Sequence, residues 1–294
     1  VPECTSFAAS LANKPNLTFV SLPKASGSMA SYMFTSCTNL SSVYLPNMVG
    51  VGSYAFSGCY NLESYVLKDI PEVWQQAFLG CSKLTDFSYL GCTWIYASAF
   101  QNCINLSTVS VPDCLGIYGC AFSGCSNLTT LYAPYVTTIG QSTFYSCSKL
   151  TALSIPFVST LSSSTYQSLY ALKTLTLGNV TAIISSAFSY CSSLESLYLL
   201  NASVMRLSSI NAFYYTPMSI SAYLGYYGSI YVPSQTVSLY TASASWARYS
   251  SRITALPSEY DSQYVYGYEF YNNSTLTEIP AEKKNAIMVL SRAF

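Results

Sequence analysis

The chain has 294 residues, 51% of them hydrophobic and only 8% charged, with a formal net charge of zero. That composition excludes a disordered chain, and with no Lys/Arg-rich run the electrostatic footprint of nucleic-acid binding is missing. No apolar run reaches membrane-spanning length, which argues against membrane insertion, and the sequence holds no histidine, so the commonest general base and metal ligand are both absent.

A chain of this length is either two globular domains or one extended repeat protein. With so few charges, the surface must be covered by Ser, Thr, Asn and Tyr, and the 28 tyrosines fit that. The chain opens at Val1 without a signal-peptide pattern, as a mature, trimmed or partial chain would. Residues 1–15 read as a frayed or capping N-terminal flank. The first unit is irregular: Leu17, Val20 and Leu22-Pro23 precede their next copies by 23 residues, and no Ala-Phe pair precedes them.

From there the sequence repeats. Phe34, Phe56, Phe78, Phe100, Phe122 and Phe144 stand 22 residues apart, and Tyr166 and Phe188 continue the column. Three residues after each stand Cys37, Cys59, Cys81, Cys103, Cys125 and Cys147, then Leu169, then Cys191; three further on, Leu40 through Leu194 recur without exception. Five residues before each aromatic comes Met29, Val51, Val73, Ile95, Ile117, Ile139, Leu161 or Ile183. Such register predicts a leucine-rich-repeat solenoid over residues 16–256. One unit cannot bury its own apolar face, and stacking units turns each column into a continuous core ladder.

Within the unit, Leu40-Ser-Ser-Val43-Tyr-Leu45 has the form L-x-x-V-x-L, and its closing alternation is strand period. One parallel strand per coil is expected, stacked at about 4.8 Å, so that eight coils span roughly 35–40 Å of sheet. Pro46, Pro112, Pro134 and Pro156 follow at once and should end the strand, since proline cannot donate to a ladder.

The register breaks at Phe213, 25 residues after Phe188. A last strand is expected at Ser229-Ile230-Tyr231-Val232-Pro233, with Ser234 as N-cap of a short amphipathic cap helix at about 235–249 carrying Val237, Tyr240, Trp246 and Tyr249. Arg252-Ile253-Thr-Ala-Leu256 follows as an extended piece. Residues 257–294 read as a linker and the start of a possible second array, because Val289 stands five before Phe294 as in every earlier unit.

The chemistry is sparse. Of eleven cysteines, seven form one ladder, and Cys92 and Cys114 share an apolar column with Met48, Ile70, Val136, Val158 and Val180. They read as buried structural thiols packing as small hydrophobes, although neighbouring ladder cysteines lie near bridging distance. Cys4 and Cys120 fall outside the ladders. No C-x-x-C, G-x-S-x-G or phosphate loop occurs. Asp69 with Glu72, and Glu63 with Asp86, come nearest to a carboxylate pair and read as solvated surface. No catalytic residue, cofactor or metal is expected. Asn16, Asn39, Asn105, Asn127, Asn201 and Asn273 match the glycosylation pattern, but most are the Asn-Leu of the repeat and read as turn residues.

What remains is the outer face of the strands. Its central column is Tyr44, Val66, Ser88, Ser110, Tyr132, Ser154, Thr176 and Tyr198; the column before it is Ser42, Ser64, Asp86, Thr108, Thr130, Ala152, Thr174 and Ser196. Tyrosine joins a rigid apolar body to a polar tip, which suits recognition of sugars or proteins. Tyr44, Tyr132, Thr176, Tyr198, Asp86, Thr108 and Thr130 are therefore the candidate ligand-binding residues, set against the plain β-propensity of Ser, Thr and Tyr on exposed strands.

The pattern Ala55-Phe56-Ser-Gly-Cys59-Tyr-Asn-Leu62, repeated at Ala121-Phe122-Ser-Gly-Cys125-Ser-Asn-Leu128, resembles the BspA-like leucine-rich repeats of surface proteins from gut and oral bacteria. The resemblance implies an extracellular or cell-surface adhesion or recognition protein that holds a host protein or glycan. A bacteriophage tail or receptor-binding component, located on the virion and recognising bacterial surface polysaccharide, is the alternative. A passive spacer is a third reading, and an enzyme a distant fourth.

Overall fold

The computed structural model describes residues 10–257, apart from 160, 163, 179, 185, 202, 210 and 220–226. Cys4, Asn273 and the linker and second array expected beyond residue 257 lie outside the described residues.

The chain winds as a solenoid with a strand in each coil where L-x-x-V-x-L predicts it. Strands pair in parallel with their own copies: Val20 with Val43, Val43 with Tyr65, Phe87 with Val109 and Leu131, and Leu153 with Leu175, Leu197, Ile230 and Ile253 in succession. Inward residues are buried because each column packs on itself. A second, shorter parallel ladder accompanies the first, as at Trp94–Ile95, Gly116–Ile117 and Thr138–Ile139.

Pro46 does not end its strand. Ser42–Val51 is extended throughout, and Ser64–Val73 likewise runs past Pro71. The pairing of these two strands shifts between Leu45 and Val49, so Pro46 falls at the joint between the two ladders, where its missing N–H interrupts no regular bonding. In later coils the strands Thr108–Ser110, Thr130–Tyr132 and Ala152–Ile155 do stop before Pro112, Pro134 and Pro156.

The Ala-Phe-x-x-Cys segment forms the opposite wall as a chain of turns. The residues two before and two after each aromatic carry positive φ: Ser98 and Asn102 at 57° and 61°, Cys120 and Gly124 at 58° and 79°. This puckering aims alternate amides at the next coil. Ser98, Phe100 and Asn102 donate to the carbonyls of Gly119, Ala121 and Ser123 at 2.9, 2.8 and 2.8 Å. The bonding already reaches Leu11 and Asn13, whose amides donate to Met33 and Thr35 at 2.8 Å each. Coil-to-coil bonds thus hold a non-strand backbone as a sheet would, and their number offsets the cost of left-handed residues.

The aromatic column is one continuous stack. Neighbouring rings from Phe34 to Phe122 lie 5.2–5.4 Å apart and within 16° of parallel. The cysteines are more than small hydrophobes: from Cys59 on, each ladder thiol donates to the carbonyl of the aromatic 25 residues earlier, as Cys103 to Phe78 at 3.0 Å and Cys125 to Phe100 at 3.0 Å, and Cys37 donates to the Leu11 carbonyl at 3.0 Å. Burial raises the pKa of these thiols and keeps them protonated as donors. The ten cysteines among the described residues are all free. The repeat asparagines form their own ladder: the Asn61 side-chain amide donates to Asn39 Oδ1 at 3.2 Å and that of Asn127 to Asn105 Oδ1 at 3.0 Å, in keeping with a turn role.

Tyr166 is the one misfit of this stack. It lies fully buried between Phe144 and Phe188, and its hydroxyl finds no partner among the described residues. An unsatisfied buried hydroxyl costs on the order of 1–3 kcal/mol. Tyr166→Phe is therefore expected to raise stability by about 1 kcal/mol. A urea or thermal midpoint that moves down instead would show that the hydroxyl is satisfied.

At the far end Phe213 rejoins the stack, 5.3 Å from Phe188, so the added residues are absorbed elsewhere in the coil: Ala182 pairs with Arg206, whereas Thr174 pairs with Ser196. The cap is not a single helix over 235–249. A 3-10 turn at Ser234–Thr236 leads into a short α-helix, Val237–Ala242, and a second 3-10 turn follows at Ala247–Arg252. Nor is Ser234 the N-cap: Thr236 precedes the α-helix, and Ser234 opens the 3-10 turn. Covering the last coil decides this geometry. Trp246, fully buried, donates through Nε1 to the Met205 carbonyl at 2.7 Å, Tyr240 Oη accepts the Met205 amide at 3.2 Å, and Tyr249 meets Phe213 edge-on at 5.1 Å. An uninterrupted helix would not bring both rings to one backbone edge. Ile253–Ala255 then adds a final strand.

Candidate functional site

The outer face of the strands carries the candidate residues on successive rungs. Asp86, Thr108 and Thr130 are paired neighbours, all exposed, and one position on Ser88, Ser110 and Tyr132 pair in the same order. Tyr44 is 42% exposed, and Tyr132 and Tyr198 are half-buried. The seven residues do not form one cluster. The backbone ladder of this face runs as three stretches, from Phe19 to the strand Ser64–Val73, from Asp86 to Tyr132, and from Ala152 to Ala255. Tyr44 lies in the first, Asp86, Thr108, Thr130 and Tyr132 in the second, and Thr176 and Tyr198 in the third.

Thr176 differs from its expected place. It is fully buried, although it sits on an outward rung between Ser154 and Tyr198. Thr176 is therefore not available to a ligand on this face. The column instead continues to Tyr231, whose ring stacks on Tyr198 at 4.6 Å and 11°. The alternation Ile230-x-Val232 already turned that residue outward.

Two further residues escaped the sequence pattern, at the break between the first two stretches. Tyr65 and Tyr89 stand where other coils place Val43 or Leu45, on inward positions. The Tyr65 ring tilts against Phe78 at 5.4 Å and stacks on Tyr89 at 6.2 Å. Between them opens a cleft of about 260 Å³ lined by Glu63, Ser64, Tyr65, Leu84, Asp86, Ser88 and Tyr89. Burial, with Tyr89 and Asp86 nearby, pushes the Tyr65 phenol well up; burial, with Asp69 and Asp86, pushes Tyr89 up to about 12. Both hydroxyls therefore remain donors at neutral pH. Asp86 Oδ1 accepts from Thr85 Oγ1 at 3.1 Å, and Lys83 lies 3.5 Å from Glu63. The cleft thus offers hydroxyl donors and carboxylate acceptors side by side, an arrangement for hydrogen-bonding a polar ligand. No cluster of three or more metal-ligating side chains occurs among the described residues. No helix among them is long and apolar enough to cross a membrane.

A family model for the BspA type leucine rich repeat region matches this sequence in six copies, over residues 8–129 and 93–219. No curated protein matches it. Among solved structures, the chain is similar to a leucine-rich repeat protein of T. pallidum, at 22% identity, covering 61% of this chain and 78% of that one with a TM-score of 0.42. It is also similar to a leucine rich cell surface protein from Faecalibacterium prausnitzii, at 16% identity over 94% of this chain and 93% of that one, with a TM-score of 0.37. The pneumococcal vaccine antigen PcpA is 12% identical over 86% of this chain and 82% of that one, with a TM-score of 0.40. At such identities the likeness concerns the fold alone.

Proposed function

Because the chain belongs to the BspA-type leucine-rich repeat family, we propose that it is a non-catalytic adhesion or recognition protein. In this reading it works at the cell surface or outside the cell and holds a host protein or glycan on the outer face of its strands. The observation that carries the reading is the chemistry of that face. Asp86, Thr108 and Thr130 are exposed on adjacent rungs beside Tyr132, and at the break the Tyr65–Tyr89 cleft adds donors next to Glu63 and Asp86. A surface of hydroxyls, phenols and few charges recognises neutral polar partners through many modest contacts.

The test is a binding comparison with the purified, labelled chain. One arm is host matrix proteins, mucin and a glycan panel; the other is intact gut bacteria and their wall polysaccharides. Saturable binding to host material is the expected result. Binding confined to bacterial surfaces would replace this reading with a phage receptor-binding role, and no binding in either arm would leave a spacer.

A further inference from the structure

A second set of aromatic rings lies on the flank of the array, four residues before the buried aromatic of each coil. Through the register that column reads Ala30, Gly52, Trp74, Tyr96, Tyr118, Gly140. The three rings form a tight stack: Trp74 to Tyr96 at 4.7 Å and 5°, Tyr96 to Tyr118 at 5.2 Å and 4°. Glycine stands at both ends of the column, and the terminal rings are partly exposed, Trp74 at 43% and Tyr118 at 37%. A cleft of about 270 Å³ opens beside Trp74, lined by Ser28, Val49, Gly50, Pro71, Glu72 and Trp74 among others. The Glu72 side chain lines the same cleft, near the Tyr96 phenol.

We propose that the free face of Trp74, with the Glu72 carboxylate beside it, is a binding site for one pyranose ring of gluco- or galacto-configuration. A glucopyranose presents axial C–H groups on its flat faces and equatorial hydroxyls around its rim, and a galactopyranose keeps a C–H face opposite its axial 4-hydroxyl. The C–H face packs on the indole, and a rim hydroxyl donates to Glu72. The cleft holds the volume of about nine waters, which suits a single hexose. Other occupants fit less well. A quaternary ammonium is held best by several ring faces around it, but here the other faces of the stack cover one another and only one is offered to the cleft. An apolar side chain seated on Trp74 would take the Glu72 carboxylate out of water without a partner. This site shares no residue with the outer face of the strands and stands whether or not that face binds a ligand.

The experiment is a titration of the chain with methyl β-D-glucopyranoside and methyl β-D-galactopyranoside, followed by saturation-transfer NMR and tryptophan fluorescence. A Trp94→Phe background leaves Trp246, fully buried under the cap, as the only other indole. Single sugars bind weakly, so saturation is expected at millimolar concentrations. Trp74→Ala should weaken the response at least tenfold, and Glu72→Gln, which keeps size and shape, severalfold. The triple variant Tyr44→Ala/Tyr132→Ala/Tyr198→Ala should keep it, so failure here and failure of the strand-face reading are distinguishable. No saturable response to either glycoside would overturn the proposal, as would a response that survives Trp74→Ala and Glu72→Gln, or a response to choline chloride alone.

Discussion

The reduced protein is expected to lose its fold cooperatively between about pH 9 and pH 10.5, well below the range in which its native thiols ionise. Burial pushes Cys59, Cys92, Cys114, Cys125 and Cys191 up to about 12. In the unfolded chain a thiol ionises near about 8.5. Above that value the unfolded state releases protons that the native state still holds, so unfolding becomes more favourable as pH rises. The thiols' contribution is whole below the unfolded value and is lost progressively up to the folded one. Each group costs about 1.4 kcal/mol per pH unit within that window. Five together approach roughly 7 kcal/mol per unit, against total stabilities of about 5–15 kcal/mol. Urea midpoints measured under a non-thiol reductant from pH 7 to 10.5 check this. Replacing one ladder member, Cys125→Val, should reduce the slope by one thiol's share whatever it does to stability at neutral pH. A midpoint that stays flat from pH 8 to 10 would show that the thiols ionise freely in the native state.

Phe100→Ala is expected to cost about 3–5 kcal/mol. The Phe100 ring is fully buried, stacked on Phe78 at 5.2 Å and on Phe122 at 5.4 Å, with the edge of Phe87 at 4.8 Å. Its removal leaves a cavity in mid-array and breaks the stack on both sides, and in a solenoid each coil is held only by its neighbours. Phe34→Ala should cost less, since the Phe34 ring stacks on Phe56 at the start of the column. Leu90→Ala, at a residue 77% exposed, should change stability by under about 0.5 kcal/mol. Urea unfolding of the three variants gives the order. Equal costs at Phe100 and Leu90 would mean that the aromatic column does not carry the core.

The ladders were legible in the sequence because a fixed period places like residues on like positions, so reading a column is reading a contact. Where the period slips by a few residues, as before Phe213, the ring still finds its place, because the stack constrains it more than the loop does. Other features lay beyond a column reading. Pro46 marks a strand end only if the ladder continues through it; here two ladders meet at that point. The pattern Val237, Tyr240, Trp246, Tyr249 is compatible with a helix but equally with two turns folded against Met205, and tertiary packing chose the latter. The thiol bonds were hidden because their acceptors belong to the neighbouring coil, at an offset of 25 rather than 22. On the strand face, Asp86, Thr108, Thr130 and Tyr132 share a stretch as the alternation implied. Thr176 does not reach the surface, although it lies on the outward alternation. Tyr65 and Tyr89 were visible only as departures from the repeat, and it is there that the cleft opens. Trp74, Tyr96 and Tyr118 keep the same register as the core columns and could have been found by reading that position too.

The most direct measurement is the affinity of the wild type and of the Tyr44→Ala/Tyr132→Ala/Tyr198→Ala variant for the host component selected in the binding comparison, with melting temperatures taken alongside. Recognition through the outer face of the strands predicts affinity weakened at least about tenfold with the melting temperature nearly unchanged. Full affinity in the triple variant would contradict it.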